Sequence, residues 1–324
     1  MITVAADGKG DFRTVQAAVD AVPDESTDKT RIYIKNGIYR EKVAITKSNI
    51  SLIGESAELT VLTHGDYAAM TDASGEPINT FWTYTLFAGG NDFTAENLTI
   101  ENSAGPGSRV GQAIAAYVDG DRAVFRNCRL LGHQDTLFTG PLPPYPLAVK
   151  KFGGPREGQP RRSSRQYYEN CRIKGEVDFI FGSAAAVFRR CEIVSDDPGA
   201  DACGWITAAS TPEGQAFGYV FMECRLTGEA LPRSVYLGRP WRNFAKTVFI
   251  RCHMGEHIRE EGWDNWQKPE CEQTVLYAEY GCTGPGSTPG SRVGWSKKFT
   301  AEEAEQYSVE NVLRGEDGWK IKLI

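Results

Sequence analysis

Two aspartates fall at the same place in two copies of a repeated segment. Asp135 lies seven residues after Cys128, and Asp178 lies seven residues after Cys171. If the two copies form neighbouring rungs of a repeat, equivalent positions are stacked about 5 Å apart. Carboxylates that close cannot both ionise at their ordinary pKa, so one keeps a proton while the other stays charged. Such a pair provides an acid and a nucleophile or base from identical side chains. A single Asp beside a turn is ordinarily a turn-capping residue, and the shared phase argues against that reading. So does Phe179-Ile180-Phe181-Gly182, the apolar run after Asp178, because a buried carboxylate needs a partner.

The elements that must position the pair are set by the repeat itself. An aromatic residue is followed three positions later by Cys and five later by an aliphatic in Phe125–Leu130, Tyr168–Ile173, Phe188–Ile193, Phe221–Leu226 and Phe249–Met254; Ala95–Ile100 is a degenerate copy. Each copy is short and β-rich, with one face suited to a core. Successive cysteines are separated by 43, 20, 33 and 28 residues, which fits coils of roughly 20 residues carrying loops of variable length. The pattern predicts an all-β solenoid of stacked parallel strands. Cys128, Cys171, Cys191, Cys224 and Cys252 then form one inward ladder of buried thiols, and no obligatory disulfide is expected. Cys203, Cys271 and Cys282 have no assignment from the repeat.

A solenoid exposes sheet edges at its ends and needs caps. Thr14 to Val22, a helix-like run stopped by Pro23, suits the first end; Thr300-Ala301-Glu302-Glu303 is a capping box that opens a helix near the last coils. No linker divides the chain, so residues 1–324 are expected to form one domain. The rhythm breaks at about residues 140–164, rich in Pro, Gly, Lys and Arg. A long excursion inside a compact fold suggests a wall of a binding groove.

With 41% hydrophobic residues the chain is globular, and no apolar run approaches the roughly 20 residues that cross a bilayer, so no membrane association is expected. The net charge of −6 disfavours nucleic acid. Against it stands a basic stretch, Lys150, Lys151, Arg156, Arg161, Arg162 and Arg165, opposed only by Glu157; it is either a solvated loop or a surface that steers a polyanion. There is no CxxC pair, and His253 and His257 lack an HExxH setting, so no metal is expected. No Gly-x-Ser-x-Gly elbow offers a serine nucleophile. His133 reads as a turn residue, and Gly105–Gly111 as a loop with the wrong spacing for nucleotide binding.

Five blocks occur in order: Gly37-Ile38-Tyr39-Arg40-Glu41, Gln112-Ala113, Gln134-Asp135-Thr136-Leu137, Asp178-Phe179-Ile180-Phe181-Gly182 and Leu237-Gly238-Arg239-Pro240-Trp241. Together they resemble the signature blocks of the pectin methylesterases over most of the chain, from about residue 2 to about 300. The resemblance implies a right-handed parallel β-helix, no cofactor, and hydrolysis of the C6 methyl esters of homogalacturonan or methylated oligogalacturonides. It makes Asp178 the nucleophile, Asp135 the acid and then base, Gln112 and Gln134 the donors to the oxyanion, and Arg239 the partner of Asp178. Physically, a cation beside Asp178 lowers its pKa and keeps it ionised. Trp241 matches the family's aromatic platform for sugar rings; Tyr168 and Phe179 are weaker substrate-binding candidates, since aromatics at strand phase more often face a core. The 140–164 loop is longer than in many plant-type members.

Two other readings use the same features. A retaining glycoside hydrolase also wants two carboxylates about 5 Å apart, and a lyase on this solenoid would want a calcium cluster that the sequence does not present. A non-catalytic carbohydrate-binding β-helix would need neither. Finally, Met1–Gly8 has no signal-like character, which reads as a cytoplasmic protein acting as a monomer; the alternative is a secreted enzyme with its signal removed.

Overall fold

A computed structural model describes residues 1–24, 26–71, 74–147, 149–199, 202–288 and 290–323. The chain winds as a right-handed parallel β-helix whose coils contribute strands to three parallel sheets of eleven, eight and seven strands. A representative coil runs Ala123–Arg126, Arg129–Leu131 and Leu137–Thr139; the next runs Arg165–Glu169, Arg172–Gly175 and Val177–Gly182. Their registers are fixed by Phe125 facing Tyr168, Leu130 facing Ile173 and Leu137 facing Ile180.

The repeated segment builds the corner between the first two sheets. The residue before each ladder position is left-handed: Asn97 (φ 54°), Asn127 (50°), Asn170 (53°), Arg190 (52°), Glu223 (55°) and Arg251 (49°). Asn tolerates that conformation, while Arg and Glu adopt it at a cost that the neighbouring rungs offset. The turn swings the next side chain inward, and there stands the cysteine. Cys171, Cys191, Cys224 and Cys252 are buried, and each thiol lies within 3.2–3.5 Å of the carbonyl oxygen of the aromatic residue one coil earlier: Phe125, Tyr168, Phe188 and Phe221. Cys282 continues the ladder, its thiol 3.5 Å from the Phe249 carbonyl. The sequence pattern misses it because Glu279 stands where the aromatic residue should be and Gly281 (φ 60°) makes the corner.

The aromatic members of the repeat form an interior stack. Phe125, Tyr168, Phe188, Phe221 and Phe249 lie ring on ring with centroids 4.5–5.0 Å apart. One apolar cluster reaches from Val4 to Tyr277 along the coil axis.

Both expected helices are present, but only the first covers an end of the coil. Thr14 caps the helix Val15–Asp20, which buries Val15, Ala18 and Val19 against the first coils. Thr300 and Glu303 make a reciprocal capping box on the helix Ala301–Glu305. That helix and Val309–Leu313 lie along the outer face of the eleven-stranded sheet, with Ala304, Val312 and Leu313 packed beside Tyr167, Val187 and Val220.

Candidate active site

The site lies on the outer face of the seven-stranded sheet, where a residue on each rung projects away from the core. Phe87, Tyr117, Phe138, Phe181, Ala208 and Arg239 occupy one outward row, paired rung to rung. The row is aromatic at one end and cationic at the other, and the carboxylates sit beside the transition.

Local backbone geometry aims both carboxylates. In the strand Val177–Gly182, Val177 pairs with Trp205 while Ile180 pairs with Thr207, so Asp178 and Phe179 together oppose only Ile206. This is a β-bulge, a device that redirects a side chain out of strand alternation. Asp178 has φ 49° and Asp135 has φ 65°, and the Asp135 amide donates to the Val177 carbonyl at 3.0 Å. Both residues are only 7% exposed, yet both line a groove of about 690 Å³. The bulge turns Phe179 the other way, into the core.

Arg239 grips Asp178 with two parallel bonds, Nε to Oδ1 at 2.8 Å and Nη2 to Oδ2 at 2.7 Å. The guanidinium is itself held between two indoles, 3.8 Å from the ring centre of Trp205 and 3.9 Å from that of Trp266. Neither tryptophan stands in a repeat phase or a signature block, so the sequence reading passed over both. Lys268 completes this wall: its ammonium donates to the Pro240 carbonyl at 2.6 Å and lies 4.8 Å from the Trp266 ring centre.

Electrostatics separate the two carboxylates. Burial pushes Asp135 well above the usual carboxylate range, the charge of Asp178 pushes it further, and Arg239 opposes. Burial also raises Asp178, while the Arg239 charge and hydrogen bonds pull it back down. The sequence reading expected Arg239 to carry Asp178 below the ordinary value; desolvation of the carboxylate outweighs that pull, and the net direction is upward. The order within the pair stands: Asp135 holds its proton to higher pH than Asp178.

Gln112 and Gln134 both line the groove next to the carboxylates. Gln134 is backed by Gly107, where an added Cβ would sit 2.7 Å from the Gln134 Cβ, so only glycine fits. Trp241 lies across the groove floor, its ring centre 5.8 Å from Phe181 and 6.2 Å from Phe152. Two of the substrate-binding candidates are corrected. Tyr168 is fully buried in the interior aromatic stack, and Phe179 is fully buried on the core side of the bulge, so neither reaches the groove.

The basic stretch is also not the open cationic surface that its composition suggested. Arg156 forms an ion pair with buried Asp119, and Arg165 pairs with Asp121 and Asp317. Of the six basic residues, Lys151 lines the catalytic groove, and Lys150 joins it along an adjoining cavity.

The family model described as Pectinesterase matches residues 1–142 and 158–316. Pectinesterase 31 of Arabidopsis thaliana is 38% identical over 314 residues, covering 95% of this chain and 90% of that protein. The structure superposes on a pectin methylesterase from carrot with a TM-score of 0.83 at 32% identity, covering 98% of this chain and 93% of that one. It superposes on a pectin methylesterase solved in complex with a hexasaccharide with a TM-score of 0.80 at 29% identity, covering 100% and 98%.

Proposed function

The chain belongs to the pectinesterase family, and from that premise we propose that the groove over Asp135 and Asp178 removes methyl groups from esterified galacturonan by carboxylate chemistry. It is a carboxylic ester hydrolase of pectin, and the finer assignment of steps rests on the side-chain geometry.

Asp178 is the nucleophile. The bidentate bonds from Arg239 fix the plane of its carboxylate and favour the ionised form, so an oxygen is aimed into the groove without further ordering. Attack on the C6 carbonyl carbon makes a tetrahedral oxyanion. The side-chain amides of Gln112 and Gln134 are the donors beside it, and removing one such donor generally costs about 10²–10³ in rate.

Collapse of the intermediate breaks the bond to methoxide, which takes the proton held by Asp135 and leaves as methanol. Asp135, now charged, accepts a proton from water. The hydroxide equivalent attacks the same carbonyl carbon, Asp178 departs as carboxylate, and the sugar is released as a free acid. The cycle ends with Asp135 protonated and Asp178 ionised, ready for the next ester. Trp241 offers its ring as a platform for a sugar face.

The observation that carries this reading is the Arg239–Asp178 fork beside the buried carboxyl group of Asp135, whose burial favours the protonated form. A β-helix glycosidase would cut the chain and a binding module would release nothing. Methanol set free from methylated galacturonan, without new reducing ends or unsaturated product, is the expected result. Asp178→Ala should abolish it, and residual activity above about a thousandth of wild type would overturn the nucleophile assignment.

A further inference from the structure

We propose that residues 143–147 and 149–157, from an insertion lying outside the family match, are held by Arg156 as a wall of the groove and bind parts of the substrate chain remote from the reacting ester. This rests on the reading of the groove as a pectin methylesterase site. The family match runs to residue 142 and resumes at 158, so the segment lies outside what the family shares. Its position is nevertheless specific.

Three contacts seat it. The Arg156 guanidinium Nε lies 2.5 Å from Oδ2 of Asp119, which is 2% exposed beneath the loop. The Arg242 guanidinium donates to the Tyr145 carbonyl at 2.9 Å. The ring of Phe152 meets Phe81 edge-on at 5.8 Å and Trp241 at 6.2 Å. Asp119 is the costly member: a carboxylate buried there needs the guanidinium, and its other oxygen Oδ1 has no hydrogen-bond partner among the described residues. Arg156 is the ion-pair partner of this buried acid among the described residues, with Arg161 and Arg162 acting on it only from farther off, so the pair anchors the insertion.

The anchored segment faces the groove. Leu147, Val149, Lys151 and Phe152 line the same cavity as Asp135 and Asp178. Leu147 and Val149 are 66% and 58% exposed, an unusual outlay of apolar surface for a loop with no binding role. Val149 and Lys151 also line a second cavity of about 780 Å³, reached past Asn79 and bordered by Lys150 and Trp82. The wall therefore extends beyond the reacting carboxylates, along the path of the sugars that flank the one being hydrolysed. None of its side chains is needed for the proton transfers, so its contribution falls on binding of long substrates rather than on the chemical step.

The test compares the full-length protein with Arg156→Met and with a variant in which residues 144–156 are replaced by a short Gly-Ser bridge. Methanol release is measured on highly methylated polygalacturonan and on a methylated dimer. Expected is a rise in KM of about tenfold on the polymer and a rise at least about threefold smaller on the dimer, with kcat within twofold on the polymer. Equal constants on both substrates in both variants would overturn the proposal. So would a parallel fall in kcat on polymer and dimer, which would make the segment a structural support of the reacting groups. Wild-type protein that releases no methanol from either substrate would instead overturn the esterase reading, which separates the two failures.

Discussion

Asp135 and Asp178 share a backbone conformation as well as a phase: both are left-handed, at φ 65° and 49°, one coil apart on the same outer face. Left-handed non-glycine residues at a functional site store strain that the surrounding rungs must hold. Asn tolerates this conformation as well as Asp does, so exchange to Asn removes the charge while sparing the backbone. Asp178→Asn and Asp135→Asn should each keep the fold, seen by circular dichroism. Asp178→Asn should lower methanol release by at least about a thousandfold. Asp135→Asn should lose the proton donor and fall by about 10²–10⁴.

The raised acid of the pair gives a stability prediction with a definite sign. Asp135 binds its proton more tightly folded than unfolded, because burial and the Asp178 charge disfavour its ionised form. Its contribution to stability is complete below the unfolded value of about 3.9 and is lost as pH rises through the folded value. Asp135→Asn abolishes that loss. Thermal melts across pH 4 to 8 should show the variant gaining on wild type as pH rises; parallel curves would contradict the buried, proton-holding role. Activity should be bell-shaped, rising as Asp178 ionises and falling as Asp135 deprotonates.

Trp266 fixes the cation that fixes the nucleophile. A guanidinium stacked between two indoles keeps its fork directed at Asp178, and such contacts contribute about 0.5–2 kcal/mol each. Trp266→Ala should cost roughly tenfold in kcat/KM and move the acidic limb of the pH profile upward, because a looser Arg239 lets Asp178 keep its proton longer. Trp266→Phe preserves a ring face and should recover most of both. An unchanged acidic limb in Trp266→Ala would show that the indole packs without positioning Arg239.

What could be read from the sequence follows from what repeats. The aromatic-x-x-Cys segment reveals the coil because every rung solves the same packing problem, and Asp135 and Asp178 were visible as equals in phase. Cys282 escaped because Glu279 replaces the aromatic residue in its copy. Trp205 and Trp266 escaped because each meets Arg239 from a neighbouring coil, a contact between residues far apart in the chain that leaves no local pattern. Tyr168 and Phe179 were misjudged for one reason: strand alternation does not say which face is inward, and at Phe179 a bulge decides it. The basic stretch misled because composition counts charges without their partners, and Arg156 and Arg165 each have one.

Electrostatic steering of a polyanion should therefore rest on Lys150, Lys151, Arg161 and Arg162, and of these the two lysines lie nearest the groove. Asp119 already offsets Arg156, and Asp121 and Asp317 offset Arg165. The double variant Lys150→Ala/Lys151→Ala should raise KM for partly de-esterified pectin and flatten its dependence on salt, since screening weakens only charges that act at a distance. Arg165→Ala should leave that salt dependence as it is, while lowering Tm through the lost contact with the C-terminal segment at Asp317 and Leu313. A salt dependence left untouched when Lys150, Lys151, Arg161 and Arg162 are all neutralised would remove the steering role.

The thiol ladder predicts chemical silence. All eight cysteines are free, and Cys128, Cys171, Cys191, Cys224 and Cys252 are buried. Reactivity needs an exposed thiolate, and each of these sulfurs is enclosed between rungs. Cys203 is the partly exposed thiol that burial does least to protect, whereas at Cys282 the neighbouring Cys252 thiol and burial push the pKa far up. Alkylation of native protein followed by mass spectrometry should label Cys203 first and the five ladder thiols only on unfolding. With no disulfide to lose, Tm should be the same with and without reductant. Early labelling of Cys191 or Cys224, at the middle of the stack, would mean that the coils open locally there, and the rigid platform needed to keep Asp135 against Asp178 would be missing.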